Sequence, residues 1–425
     1  MSKFFFGLLL NSYLIWYSQG ENNLRSLTGE DSRSIVGQSS ELFSYKGSIP
    51  RLSARNDLVR HNRINCDFIH EVVFVIQQRN MDELTRMLHD VSDPRSSNYG
   101  QHMTQEQVTR MTENLEARDY VLAYLDKKGA SVTAATLGSE YITASAPISV
   151  WESMLNTEFY SFHQTQSDGK IEKMVRAENY WIPTDLDVHV ESVFNTIQIP
   201  YRVIGNLQVP ELIPQSDIHT SMKLEALTGF TTPAKIKEYY NVTHHRGSPA
   251  STQGIYGTIG QYFSPSDLSS FQIAFGLPNQ PLVASIGGFS SDAKCVSSAT
   301  NCAEANLDVQ YIMATSPDSP TTYWYSNLVF SDWLVTVAAT SKPPLVFSIS
   351  YGADEASMSN SEMKAFSTQA IKLGMMGITI VAASGDDGAV SDTVRGLGKT
   401  ACGYSPLFPG SNPYVVSVGA TAVST

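Results

Sequence analysis

The sequence predicts an α/β chain in two parts, a compact α+β domain followed by a parallel-sheet domain. Three observations predict it. Strand-like and helix-like segments alternate between residues 71 and 163, as in the ferredoxin-like arrangement of two helices on one sheet. Beyond residue 250 the strands become almost continuous apolar runs, Pro344-Leu-Val-Phe-Ser-Ile-Ser350 and Gly377-Ile-Thr-Ile-Val-Ala-Ala383, which a sheet covered on both faces requires. The composition, 42% hydrophobic against 16% charged over 425 residues, supplies apolar material for more than one core.

The elements follow in order. Residues 1–20 read as a secretory signal, with Lys3, an apolar run from Phe4 to Tyr17, and small residues Ser18 and Gly20 before the cleavage point. Residues 21–65 are polar and read as a loosely ordered leader. Residues 66–195 form the first domain. It should hold a strand at 72–76, a helix at 81–91 and a long helix at 105–128 closed by Gly129. Strands at 131–135 and 141–144, a helix opened by Pro147 and a strand at 158–163 complete it. Residues 196–232 read as a linker. In residues 233–425 the pattern predicts strands at 257–263, 344–350, 377–383 and 414–418. Helices are predicted at 267–275, and at 359–373 closed by Gly374.

Charge narrows the function. Lys and Arg number 29 against 41 Asp and Glu, a net charge of −12, and no basic run offers phosphate contacts, so no nucleic-acid partner is expected. No apolar stretch after the signal reaches the ~18 residues of a membrane span. Four cysteines, Cys66, Cys295, Cys302 and Cys402, would meet an oxidising compartment, where Cys295 and Cys302, bracketing a short polar loop, are candidates for a local disulfide. Asn241-Val-Thr243 is a candidate glycosylation site.

All nine histidines lie at or before His245, so the α/β part cannot supply its own Ser-His-Asp triad or a histidine-ligated zinc site. It has no nucleophile elbow and no phosphate-binding glycine loop. Carboxylates remain, and no metal ligands are assigned. Glu304 and Asp308 are one helical step apart, on a face shared with Leu307 and Tyr311 that should be partly covered. Spacing alone also suits two solvated acids near a helix start. Ser384-Gly385-Asp386-Asp-Gly388 follows a buried strand, where open parallel sheets meet their ligands, though an Asp-Gly turn would read the same way.

Together these segments resemble the sedolisins, the serine-carboxyl peptidases that include tripeptidyl-peptidase and kumamolisin-like proenzymes. Met81-Asp-Glu-Leu, Ser97-Asn-Tyr-Gly100 and Ala144-Ser-Ala-Pro-Ile-Ser-Val150 are similar to the family's propeptide. Glu304-Ala-Asn-Leu-Asp308-Val-Gln-Tyr311, Ser348-Ile-Ser-Tyr-Gly352 and Ser384-Gly-Asp386-Asp-Gly388 are similar to its active-site segments. The resemblance implies a subtilisin-like peptidase fold after the propeptide. It implies Glu304 as general base, Asp308 as the acid orienting it and Asp386 as oxyanion donor. Ser350, Tyr351, Gly352, Ser384 and Gly385 would bind substrate. It also implies peptide or protein substrates, the propeptide as intramolecular inhibitor, and a secreted, lysosomal or vacuolar acid setting. Calcium is expected for the family, at a C-terminal loop beyond Thr425. The family's serine motif, of G-T-S type, is absent from these residues, so the chain as given is expected to be a C-terminally shortened, inactive form. The competing expectation is a non-catalytic secreted protein that binds proteases or peptides.

Overall fold

The computed structural model describes residues 35–36, 42–50, 52, 57–165, 171–200, 231–326, 330–386, 388–390 and 404–420. The expected signal, most of the linker and Cys402 lie outside the described residues. Among those described, no helix is long and apolar enough to cross a membrane.

The first domain is built on a four-stranded antiparallel sheet. Its spatial order is Val190–Phe194, Ile69–Ile76, Tyr141–Pro147, Ser131–Ala135. In chain order the strands stand fourth, first, third, second, the ferredoxin-like order. Helices Met81–Ser92, Gln105–Thr112 and Leu115–Lys127 lie between its first and second strands, and Ile148–Met154 follows the third. Phe74, Val121, Leu125, Ile142 and Trp151 are fully buried between helices and sheet. The long helix expected at 105–128 is two. Asn114 breaks it by accepting the Ala117 amide with its own side chain, the competition with helix that Asn offers at a cap.

The stretch read as a loose leader contributes strands. Leu42–Ser48 pairs with Asn179–Pro183, and Leu58–Arg63 pairs with Phe159–Thr165. Most side chains of Leu58–Arg63 are exposed, so its sequence is polar for the reason any one-faced edge strand is.

The second domain has a six-stranded, wholly parallel sheet. Across it the order is Ala284–Ile286, Thr321–Tyr325, Gln253–Gly257, Val346–Ile349, Thr379–Ala383, Val416–Val418. Trp324, Trp333, Phe347 and Phe366 fill the core on one side. Ile255, Val309 and Tyr323 fill the smaller core on the other. The expected strand at 257–263 stands earlier, at Gln253–Gly257. Glycines 254 and 257 admit Phe347 and Tyr323 where a side chain would collide, with the added carbon 2.8 Å and 2.1 Å from them. Helix Asn360–Met375 is capped by Ser359 and runs through Gly374, which packs on Leu88; the residue that turns the chain is Gly377, at φ +81°.

That same helix is where the domains meet. Leu84, Val91 and Val108 of the first pack on Ile371 and Met375 of the second. Beside them the Lys372 ammonium stands 2.9 Å from Glu140 and 3.3 Å from Gln78 Oε1, and Thr136 donates to Glu140 at 2.8 Å. Both ionic side chains are nearly sealed, at 5% and 8% exposure.

Candidate active site

Helix Ala303–Thr315 carries two acids. The disulfide Cys295–Cys302 ties the preceding loop to the residue that starts it. Gln261 fixes its first turn, accepting the Glu304 amide at 3.2 Å and donating to the Thr300 carbonyl at 2.9 Å. Asn306 is held in turn, accepting from the Ser264 amide at 2.8 Å and donating to Asp267 at 2.9 Å. Ala305, Val309 and Met313 bury the inner face, four residues apart, which rotates Glu304 and Asp308 to its margin. Leu307 does not share their cover as expected: it is 49% exposed, because at two residues from Ala305 and Val309 it stands on the side of the helix away from the buried stripe.

Asp386 reaches this margin from another direction. Strand Thr379–Ala383 ends, Ser384 donates its amide to the Val418 carbonyl at 3.0 Å, and Gly385 turns at φ +96° before the exposed Asp386. Glu304 feels both of the other carboxyls. Burial raises the proton affinity of Glu304, and the nearby Asp386 charge raises it further. Asp308 is held well above the usual carboxylate range by burial and by Glu304, partly offset by a hydrogen bond from the Ser350 hydroxyl at 2.7 Å.

The substrate-binding candidates take two parts. Residues 350–352 leave the sheet directly after Ile349, unpaired as a strand. Ser350 is the residue whose role sequence reasoning placed elsewhere: its hydroxyl serves Asp308. Both residues were named, but a bond between positions 42 apart leaves no trace in either motif. Tyr351 is buried, its ring 5.9 Å from the Tyr256 ring. Gly352 lies under Leu407. Asn241 is exposed in the turn after helix Pro233–Tyr239, and Cys66 is an exposed free thiol. Among the described residues no cluster of three or more His, Cys, Asp or Glu is placed to hold a metal ion.

Comparison with known proteins follows the same division. Residues 56–199 match the pro-kumamolisin activation domain. The chain is similar to Tripeptidyl-peptidase 1 of Homo sapiens, 28% identical over 366 residues, covering 83% of this chain and 61% of that protein. The corresponding protein of Rattus norvegicus is 29% identical over 365 residues with the same coverage. The chain thus spans about three fifths of the length of the curated relatives it matches. Among solved structures, Pseudomonas sedolisin, a serine-carboxyl proteinase, aligns at 21% identity and TM-score 0.37, over 46% of this chain and 54% of that one. An epidermin leader peptide processing serine protease from Staphylococcus aureus aligns at 11% identity and TM-score 0.32, over 83% and 70%. By the activation-domain match and the tripeptidyl-peptidase similarity together, the chain is similar to proenzymes of the sedolisin kind.

Proposed function

We propose that the protein is the proenzyme of an acid peptidase in which Glu304 is the base, Asp308 the second acid and Asp386 the oxyanion donor. One observation carries the reading: Glu304 and Asp308, one helical turn apart, and Asp386, on a glycine turn, lie toward the carboxyl ends of one parallel sheet, with Asp386 near enough for its charge to act on Glu304. Acyl transfer needs a base for the serine proton and a donor for the oxygen that gains charge. Glu304 would accept the proton as the serine oxygen bonds to the peptide carbon, and return it to the amine that leaves. Asp308, holding negative charge reluctantly, would share that proton with Glu304. Asp386 would donate a hydrogen bond to the carbonyl oxygen. Ser350 is engaged with Asp308. The nucleophilic serine is not assigned to a described residue.

Residues 56–199 would act as intramolecular inhibitor, with maturation by a cut in the linker. Substrates would be peptides or proteins met in a secreted, lysosomal or vacuolar acid setting. Calcium, attached by resemblance to a C-terminal loop of the family, would be a structural ion; the described residues offer no cluster for it, and no step uses it.

The test is peptide hydrolysis by the protein expressed from its full-length transcript, across the range from about pH 3 to pH 8. Activity should rise below neutral pH. Glu304→Gln should lower kcat by about 10²- to 10⁴-fold. Asp386→Ala should lower it by about 10²- to 10³-fold. An alkaline optimum, or a Glu304→Gln enzyme as fast as the parent, would contradict the reading.

A further inference from the structure

The two glycine-bearing walls of the proposed site are bridged by one side chain that the catalytic roles leave unused. A carbon placed on Gly352 would stand 2.6 Å from Leu407 Cδ2 and 2.8 Å from the Phe408 carbonyl oxygen. A carbon placed on Gly385 would stand 3.1 Å from that same methyl. Leu407 therefore fills the gap between residues 350–352 and the turn that presents Asp386. Its backbone is fixed there: Leu407 and Phe408 pair antiparallel with Asp354 and Ala353. Ser405 donates to the Asp354 carboxylate at 2.6 Å, and the Glu355 amide donates to the Pro406 carbonyl at 3.1 Å. The side chain itself remains partly exposed at the mouth of the gap.

On the peptidase reading, a peptide bound for attack would place its reactive carbonyl at Asp386 and its preceding backbone along residues 350–352. Side chains alternate across an extended strand. The residue that donates the reacting carbonyl thus points its side chain between the two walls, toward Leu407. We propose that Leu407 is the floor of the pocket for that side chain and sets the upper limit on its size. Small acyl-side residues such as alanine fit above the leucine, and aromatic ones meet it. The absence of a β-carbon at Gly352 and Gly385 lets the leucine methyl lie against both walls, so the floor is high.

The inference rests on the peptidase reading, and its test separates the two. Peptide amides differing only in the acyl-side residue, alanine, leucine or phenylalanine, are hydrolysed at acid pH by the full-length protein and by its Leu407→Val and Leu407→Ala variants. The parent should favour alanine. The phenylalanine-to-alanine ratio of kcat/KM should rise in steps from parent to valine to alanine variant, at least about tenfold overall, the scale of a few added or removed carbons in an apolar pocket. The valine variant removes one carbon and keeps the test open where the alanine variant melts early. A parent that prefers phenylalanine, or a ratio unmoved in variants with parental melting temperature, would overturn the role of Leu407 while leaving the peptidase reading standing. Hydrolysis of none of the peptides at any pH would overturn both.

Discussion

Asp308 and His70 carry the same burial penalty with opposite signs for pH. Burial and the Glu304 charge raise the affinity of Asp308 for its proton. Its stabilising effect is therefore full below the ordinary carboxylate range and lost as pH rises through the raised value. His70 donates from Nε2 to the Asn195 carbonyl, 2.9 Å away, inside the first domain. Burial, reinforced by Arg176, lowers its pKa from 6.5 to about 4. The unfolded chain binds the proton first, so stability is lost as pH falls from about 6.5 to about 4, by about 3 kcal/mol in all. Melting curves between those limits and neutrality check both signs. Asp308→Asn should raise the melting temperature at neutral pH, and His70→Gln should flatten the acid limb. Neither change would leave both signs wrong. At this scale the three acids were legible because each sits in a short motif whose chemistry is local. Leu407 was not, since only the fold carries it to Gly352 and Gly385, and neither glycine announces what covers it.

At the scale of elements, the decisive contact is helix Asn360–Met375 against the first domain. Lys372 is a buried cation on this helix, and Glu140 reaches it from across the interface. Burial opposes ionisation of Glu140, but the ammonium beside it wins and holds its carboxyl below the usual range. Removing one partner strands the other charge in a dry place. Glu140→Leu should cost about 3–5 kcal/mol of stability in the joined chain. Glu140→Leu with Lys372→Met should recover most of it, as seen by denaturant unfolding. A single variant as stable as the parent would show that the pair is solvated. Sequence periodicity found this helix but closed it at Gly374, three residues before the glycine that turns at positive φ. Inside a helix, a glycine can serve close packing, here of Leu88, and a pattern of apolar positions does not distinguish the two uses. The strand Thr321–Tyr325 was not foreseen at all; the five residues Thr-Thr-Tyr-Trp-Tyr give too little alternation to stand out.

Among the described residues, the two folded parts meet through buried contacts, and the candidate site is assembled within the second. The division into an α+β part and a parallel-sheet part was legible, because antiparallel and parallel strands bury different numbers of faces and so differ in sequence. The place of the polar stretch before residue 66 was not, since a one-faced strand and a loose leader are both polar. What holds the functional reading together is the convergence of Glu304, Asp308 and Asp386 as one coupled centre. The most direct measurement is the protonation of Glu304, followed by infrared difference spectroscopy of its isotope-labelled carboxyl, in the parent and in an Asp386→Asn variant. A coupled centre predicts a midpoint above the ordinary carboxylate range that falls when the Asp386 charge is removed. A midpoint in the ordinary range, unmoved by the variant, would show that the two carboxyls do not share a site.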